Sequence, residues 1–158
     1  MSGHPASSNA LGELRVGASL CLTELLRLGL ELAGGGGWAA DLLGDVALGG
    51  LGGAASLRFA HATTGLVVAA GPRVDVGWAH AEGVPRGAGV RGAALDAVHA
   101  AVGADLRVRA RLDGALWLLF GAELGASIAG LDARADDRRV TAQLGPRMAL
   151  VVGAAWAL

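Results

Sequence analysis

Lysine and tyrosine are missing altogether, and cysteine occurs once, at Cys21. A single cysteine makes no internal disulfide and offers no second soft ligand for a metal cluster, so its plain role is a small apolar filler. Basic excess is missing too. The 13 Lys+Arg stand against 14 Asp+Glu for a formal net charge of -1, without the phosphate-neutralising surplus that a nucleic-acid binder needs. No uncharged apolar run reaches the roughly 18 residues of a spanning helix; the stretch from Met148 to Leu158 is among the longest. Helical membrane spans are thereby excluded. Residues 1–9 are polar, with no basic segment leading into an apolar one, so no export signal is visible in them. Aromatic residues make up only 4% of the chain.

What is present is glycine and apolar surface. Gly numbers 27 and Pro 4, yet 53% of the 158 residues are hydrophobic and 17% charged, a balance that argues against a solvated disordered chain. The length suits one domain, expected over 11–158 behind a disordered segment at 1–10. All 13 cations are arginine. GC-rich coding favours arginine, and so does physics, because a guanidinium keeps its charge when partly buried and pairs bidentately with carboxylates.

Periodicity carries most of the information. From Val140 to Leu158 the even positions are all apolar, while the odd ones are polar, charged or small, the pattern of a strand with one greasy face. Leu106, Val108, Ala110 and Leu112 alternate with Asp105, Arg107, Arg109 and Arg111; a strand aligns those charges on one face, whereas a helix would spread them around its circumference. Leu116 to Ile128 repeats the rhythm, and Asp113-Gly114 between the two runs is a hairpin signal. Leu66 to Trp78 alternates as well, with Pro72 implying a bulge or a lost ladder bond. In Leu14 to Leu32 the alternation fits strands, although Leu20 to Leu32 is also rich enough in leucine for a helix.

Eight strands are expected: 11–22, 25–33, 38–48, 54–62, 65–82, 94–112, 115–131 and 139–158, with Gly34 to Gly37 and Gly49 to Gly53 as turns. The count is that of a closed, all-β, up-and-down antiparallel transmembrane barrel. The longest connections, Gly83 to Ala93 and Asp132 to Arg138, then share one end. Gly34 to Gly37, Thr63-Thr64, Asp113-Gly114 and both termini share the other.

Orientation decides the class. With the greasy face outward, the interior takes Gly, Ala and Ser interleaved with Arg73, Asp75, Asp105, Arg107, Arg109, Arg111, Glu123 and Arg147, expected as a paired lumen network because lone buried charges cost several kcal/mol each. Trp38, Trp117 and Trp156 fall near the short-turn end and Trp78 near the long-loop end; Trp38, Trp78 and Trp156 are the expected membrane-interface anchors.

The stretch Gly71-Pro72-Arg73-Val74-Asp75-Val76-Gly77-Trp78, the hairpin Leu106 to Leu124 and the closing run Gly145 to Leu158 resemble the C-terminal β-barrel regions of uncharacterised outer-membrane proteins of GC-rich Gram-negative bacteria. The resemblance covers about 66–158 well and 11–65 loosely, and rests on alternation and glycine spacing. It implies a cell outer membrane location, contact with outer-membrane lipid, and insertion by the barrel-insertion machinery, which reads a final aromatic strand; here Trp156 stands two residues before Leu158.

Chemical motifs are sparse. Gly50, Gly52 and Ala55 match a dinucleotide fingerprint, with Asp75 about 20 residues on, but the segment to Thr64 is too short for a crossover helix. His61, His80 and His99 lack ligand spacing, so no metal is expected. His99 with Asp105 or Ser127 is the one catalytic candidate set, against the plainer reading of a hydrogen-bonded lumen histidine. Arg134, Asp136, Asp137, Arg138 and Arg139 form a mixed-sign loop cluster.

The expected function is a small outer-membrane barrel with a structural or surface-interaction role, a side-chain-filled lumen, no cofactor and no enzymatic activity. Two other readings stay open. One is a soluble or periplasmic lipocalin-like barrel with an apolar ligand; the other is a barrel-embedded lipid-modifying enzyme.

Overall fold

A computed structural model describes residues 9–41, 44–85, 93–135, 138–142 and 144–156, with side chains over 12–38, 45–84, 93–131 and 144–156. The described chain is all strand and turn. Its elements are β1 (Asn9–Cys21), β2 (Leu26–Asp41), β3 (Gly44–Ala62), β4 (Leu66–Pro85), β5 (Ala94–Asp113), β6 (Leu116–Ala129), β7 (Asp132–Ala135), β8 (Arg138–Ala142) and β9 (Gly145–Trp156). Most are far longer than the 5 or 6 residues usual for a strand in a soluble protein. Leu20 to Leu32 is strand, turn and strand, because the Thr23 hydroxyl accepts from the Leu25 and Leu26 amides at 3.3 and 3.0 Å and closes the turn between β1 and β2.

Seven strands form one antiparallel up-and-down sheet in the order β1-β2-β3-β4-β5-β6-β9, curled into a half-barrel. β7 and β8 make a separate hairpin in the connection between β6 and β9. The sheet's edges, β1 and β9, run in the same direction, and no ladder joins them among the described residues.

Three expected boundaries are corrected. The segments 38–48 and 54–62 are not separate strands, and neither glycine run is a turn. β2 continues through Gly34 to Gly37 and β3 through Gly49 to Gly53, because the two runs face each other in register, Gly35 opposite Gly50 and Gly36 opposite Gly49. A ladder between two bare backbones satisfies the amides as a turn would not. The strand expected over 139–158 is broken, since Gly145 adopts φ 108, a left-handed conformation that ends one strand and starts β9. Pro72 causes no bulge: the β3–β4 ladder loses the pairings opposite Gly71 and Pro72 and resumes in the same register.

These changes move the ends of the sheet. The turns at 22–25, 63–65 and 114–115 share one end, where Gly114 takes φ 47 to close the β5–β6 hairpin. The last residues of β2, β4 and β6 lie at the other, together with Asn9, while Trp156 lies at the short-turn end. The described termini therefore sit at opposite ends, because seven strands, an odd number, carry the chain from one end to the other.

The faces of the sheet differ sharply. On the convex face Leu14 is 77%, Leu32 72%, Met148 74% and Leu150 79% exposed. The concave face holds two small apolar clusters. At the long-loop end Leu131, fully buried, packs with Val46, Leu48, Ala79 and Ala81. At the short-turn end Ala60, Val67 and Ala69 pack with Trp117.

Candidate functional site

Between those clusters the concave face is charged, and every strand of the half-barrel contributes. The alternation that sends leucine outward sends Glu13 and Arg15 of β1, Arg27 and Glu31 of β2, Arg58 of β3, Arg73 and Asp75 of β4, Asp105, Arg107 and Arg109 of β5, Glu123 of β6 and Arg147 of β9 inward. Arg58 spans from β3 to β5, its Nε donating to both oxygens of Asp105 at 3.0 and 2.8 Å and its Nη2 to Glu31 at 2.8 Å. Arg73 donates to Asp75 through Nε and Nη2 at 3.0 and 2.9 Å, and to Glu31 through Nη1 at 2.6 Å.

Glu123 collects the other side of the network. It accepts from Arg107 Nη2 at 2.5 Å and from Arg15, which reaches it from β1 and also bonds Glu13 at 2.8 Å. Arg147 completes the ring at 3.7 Å from Glu123 and 3.9 Å from Asp75. The side chains of Arg58, Arg73, Arg107, Asp105 and Glu123 are at most 5% exposed. Each of these buried charges has at least one opposite partner, the condition under which an interior ion network is tolerated.

Room for two of the large heads comes from glycine on the neighbouring strand. A Cβ at Gly29 would lie 2.6 Å from Arg58 Nη1, and one at Gly121 2.6 Å from Arg107 Nη1. Small residues on one strand thus seat guanidinium groups from the next.

Of the lumen residues expected from sequence, the structure brings together Arg73, Asp75, Asp105, Arg107, Glu123 and Arg147. Arg111 lies outside the network: it is exposed at the end of β5, and its Nε donates to the Gly114 carbonyl at 2.8 Å. Arg109 faces inward without a carboxylate among the described residues, its charged neighbours being Arg27, Arg58 and Arg107. Sequence reasoning missed Glu13, Arg15, Glu31 and Arg58 as network members. Their signal was the inward parity of β1 to β3, which the expected strands 11–22, 25–33 and 54–62 already carried.

His99 Nε2 stands 3.3 Å from Ser127 Oγ, where β5 and β6 shift register at Ala100 and Ala101. Asp105 is not part of that pair. It lies six residues along β5, about 20 Å at strand rise, and is held by Arg58.

The tryptophans divide between faces. Trp38, Trp78 and Trp156 are outward, 61%, 47% and 69% exposed. Trp38 belongs with Trp78 at the long-loop end, a correction that follows from β2 running on through its glycines. Trp117 is no outer anchor, since its ring packs inside. Beside Trp78 the His80 ring stacks at 5.6 Å between centroids, and its Nδ1 is 2.8 Å from Asp96.

The remaining motifs carry no chemistry. Gly50, Gly52 and Ala55 lie within β3, paired on both sides, with no helix following. Among the described residues no group of His, Cys, Asp and Glu could hold a metal ion. Cys21 is exposed at the end of β1 and so is not a core filler. The side chains of Arg134, Asp136, Asp137, Arg138 and Arg139 lie outside the described residues. No family model matches the chain, and neither a curated protein nor a solved structure is similar to it.

Proposed function

We propose that the protein is a small β-barrel of the Gram-negative outer membrane, with a structural or surface-interaction role and a lumen closed by its own side chains. One observation carries the reading: long strands present bare leucine, valine and methionine outward around an inward ring of paired arginines and carboxylates. A water-soluble fold buries the first set and solvates the second; a barrel in lipid does the reverse.

The closed form we propose has eight strands. Since β1 and β9 run in the same direction, the eighth runs antiparallel to both. Its partners are outer-membrane lipid and the barrel-insertion machinery. The concave face is filled at its centre by paired arginines and carboxylates, which supports a non-conducting role. A lipocalin-like carrier needs an apolar concave face, and this one is charged at its centre.

The test is migration of the full chain on a gel after folding in detergent, with and without boiling. A compact species that shifts on heating supports the barrel; full solubility without detergent, with no heat-modifiable band, overturns it. The second reading, a barrel-embedded lipid-modifying enzyme, draws on the His99 to Ser127 approach. It requires that His99→Ala abolish a hydrolytic or acyl-transfer activity while leaving the heat-modifiable band intact.

A further inference from the structure

The ion network does not balance locally. Toward the short-turn end, the concave face holds a cavity lined by Ser19, Arg27, Arg58, Arg107 and Arg109, with Val67 and Ala69 and with no carboxylate. Arg58 spends its charge on Asp105 and Glu31, and Arg107 on Glu123. Arg27 and Arg109 have no carboxylate partner among the described residues. An arginine cannot shed its proton to escape this crowding, so the excess charge is permanent.

A second observation points to a ligand. Arg107 is 3% exposed, yet its Nη1 has no hydrogen-bond partner, and neither has Arg27 Nε. An unmet donor on a buried cation such as Arg107 costs more than an ordinary one; Arg27 is half-buried. Donors without acceptors, gathered about a small cavity among like charges, form the complement of an anion.

We propose that the cavity framed by Arg27, Arg58, Arg107 and Arg109 binds a small inorganic anion of halide size. The volume, about 10 Å³, is that of a water-sized body, so a phosphate ester or a peptide carboxylate enters only if the arginines separate. The anion neutralises Arg109 and Arg27 and accepts from the unmet donors, completing from solution a network that the chain leaves short of negative charge. This inference does not rest on the membrane reading, because the concave face is the same in lipid or in water.

The experiment measures urea unfolding of the purified full chain, in whichever of detergent micelles or aqueous buffer keeps it folded. Sodium bromide is exchanged for sodium gluconate at constant ionic strength. Bromide raises the wild-type unfolding midpoint, Arg109→Gln and Arg27→Gln weaken its half-saturation about tenfold, as expected for loss of one charge-assisted contact, and Arg111→Gln behaves as wild type. In gluconate, Arg109→Gln unfolds later than wild type, because a like charge has gone. An equal wild-type midpoint in the two salts overturns the proposal. So does a bromide response in Arg109→Gln and Arg27→Gln that matches wild type, or a loss of stability in Arg109→Gln of the same size in both salts.

Discussion

Arg107 on β5 lies across Gly121 on β6, its Nη1 2.6 Å from the point where a side chain at 121 would begin. The same guanidinium donates to Glu123 two residues further along β6, so the glycine is the floor on which the ion pair rests. Gly121→Ala pushes the head group off its carboxylate and destabilises the fold by about 1 to 3 kcal/mol, the usual cost of overpacking. Gly153→Ala, where nothing stands within 4 Å of the new carbon, leaves stability within about 0.5 kcal/mol. Urea unfolding of both variants, side by side, measures the difference.

Glu123 serves Arg15 and Arg107 at once, with Arg147 close by. Glu123→Gln keeps the shape and removes the charge, leaving buried guanidinium groups without their acceptor. The expected loss is about 3 to 5 kcal/mol, as when one partner of a buried ion pair is deleted. The double variant Glu123→Gln with Arg107→Met recovers part of that loss; a double-mutant cycle in urea reads the coupling.

Leu150 projects from the middle of β9 on the convex face, 79% exposed. In a lipid-embedded barrel Leu150→Arg costs about 2 to 4 kcal/mol and slows folding into phosphatidylcholine vesicles. On a water-facing surface the same change stays within about 0.5 kcal/mol. Comparing folding yields with and without vesicles separates the two cases.

Leu131 is the one large side chain fully buried among the described residues. Leu131→Ala leaves a hole among Val46, Leu48, Ala79 and Ala81 and costs about 2 to 5 kcal/mol. Thermal unfolding monitored by tryptophan fluorescence checks it.

Alternation made the sheet and its two faces readable from the residues wherever side chains alternate in size and polarity, as in 94–112 and 115–129. Reading failed where side chains vanish. Gly34 to Gly37 looks like a turn in isolation, and only its pairing with Leu48 to Leu51 makes it a strand, a non-local fact that no window of sequence holds. The same error displaced Trp38 to the wrong end. The larger part of that network, Arg73, Asp75, Asp105, Arg107, Glu123 and Arg147, was legible because parity alone puts those residues on one face. Arg111 obeys the parity and still escapes, because it reaches the turn before it reaches a carboxylate. Leu131 lies beyond the alternating run of β6, so periodicity gave no hint of its burial.

Leu131 is the last residue before β7. The residue at the centre of the cluster with Val46, Leu48, Ala79 and Ala81 and the β7–β8 hairpin are therefore joined by a single peptide bond.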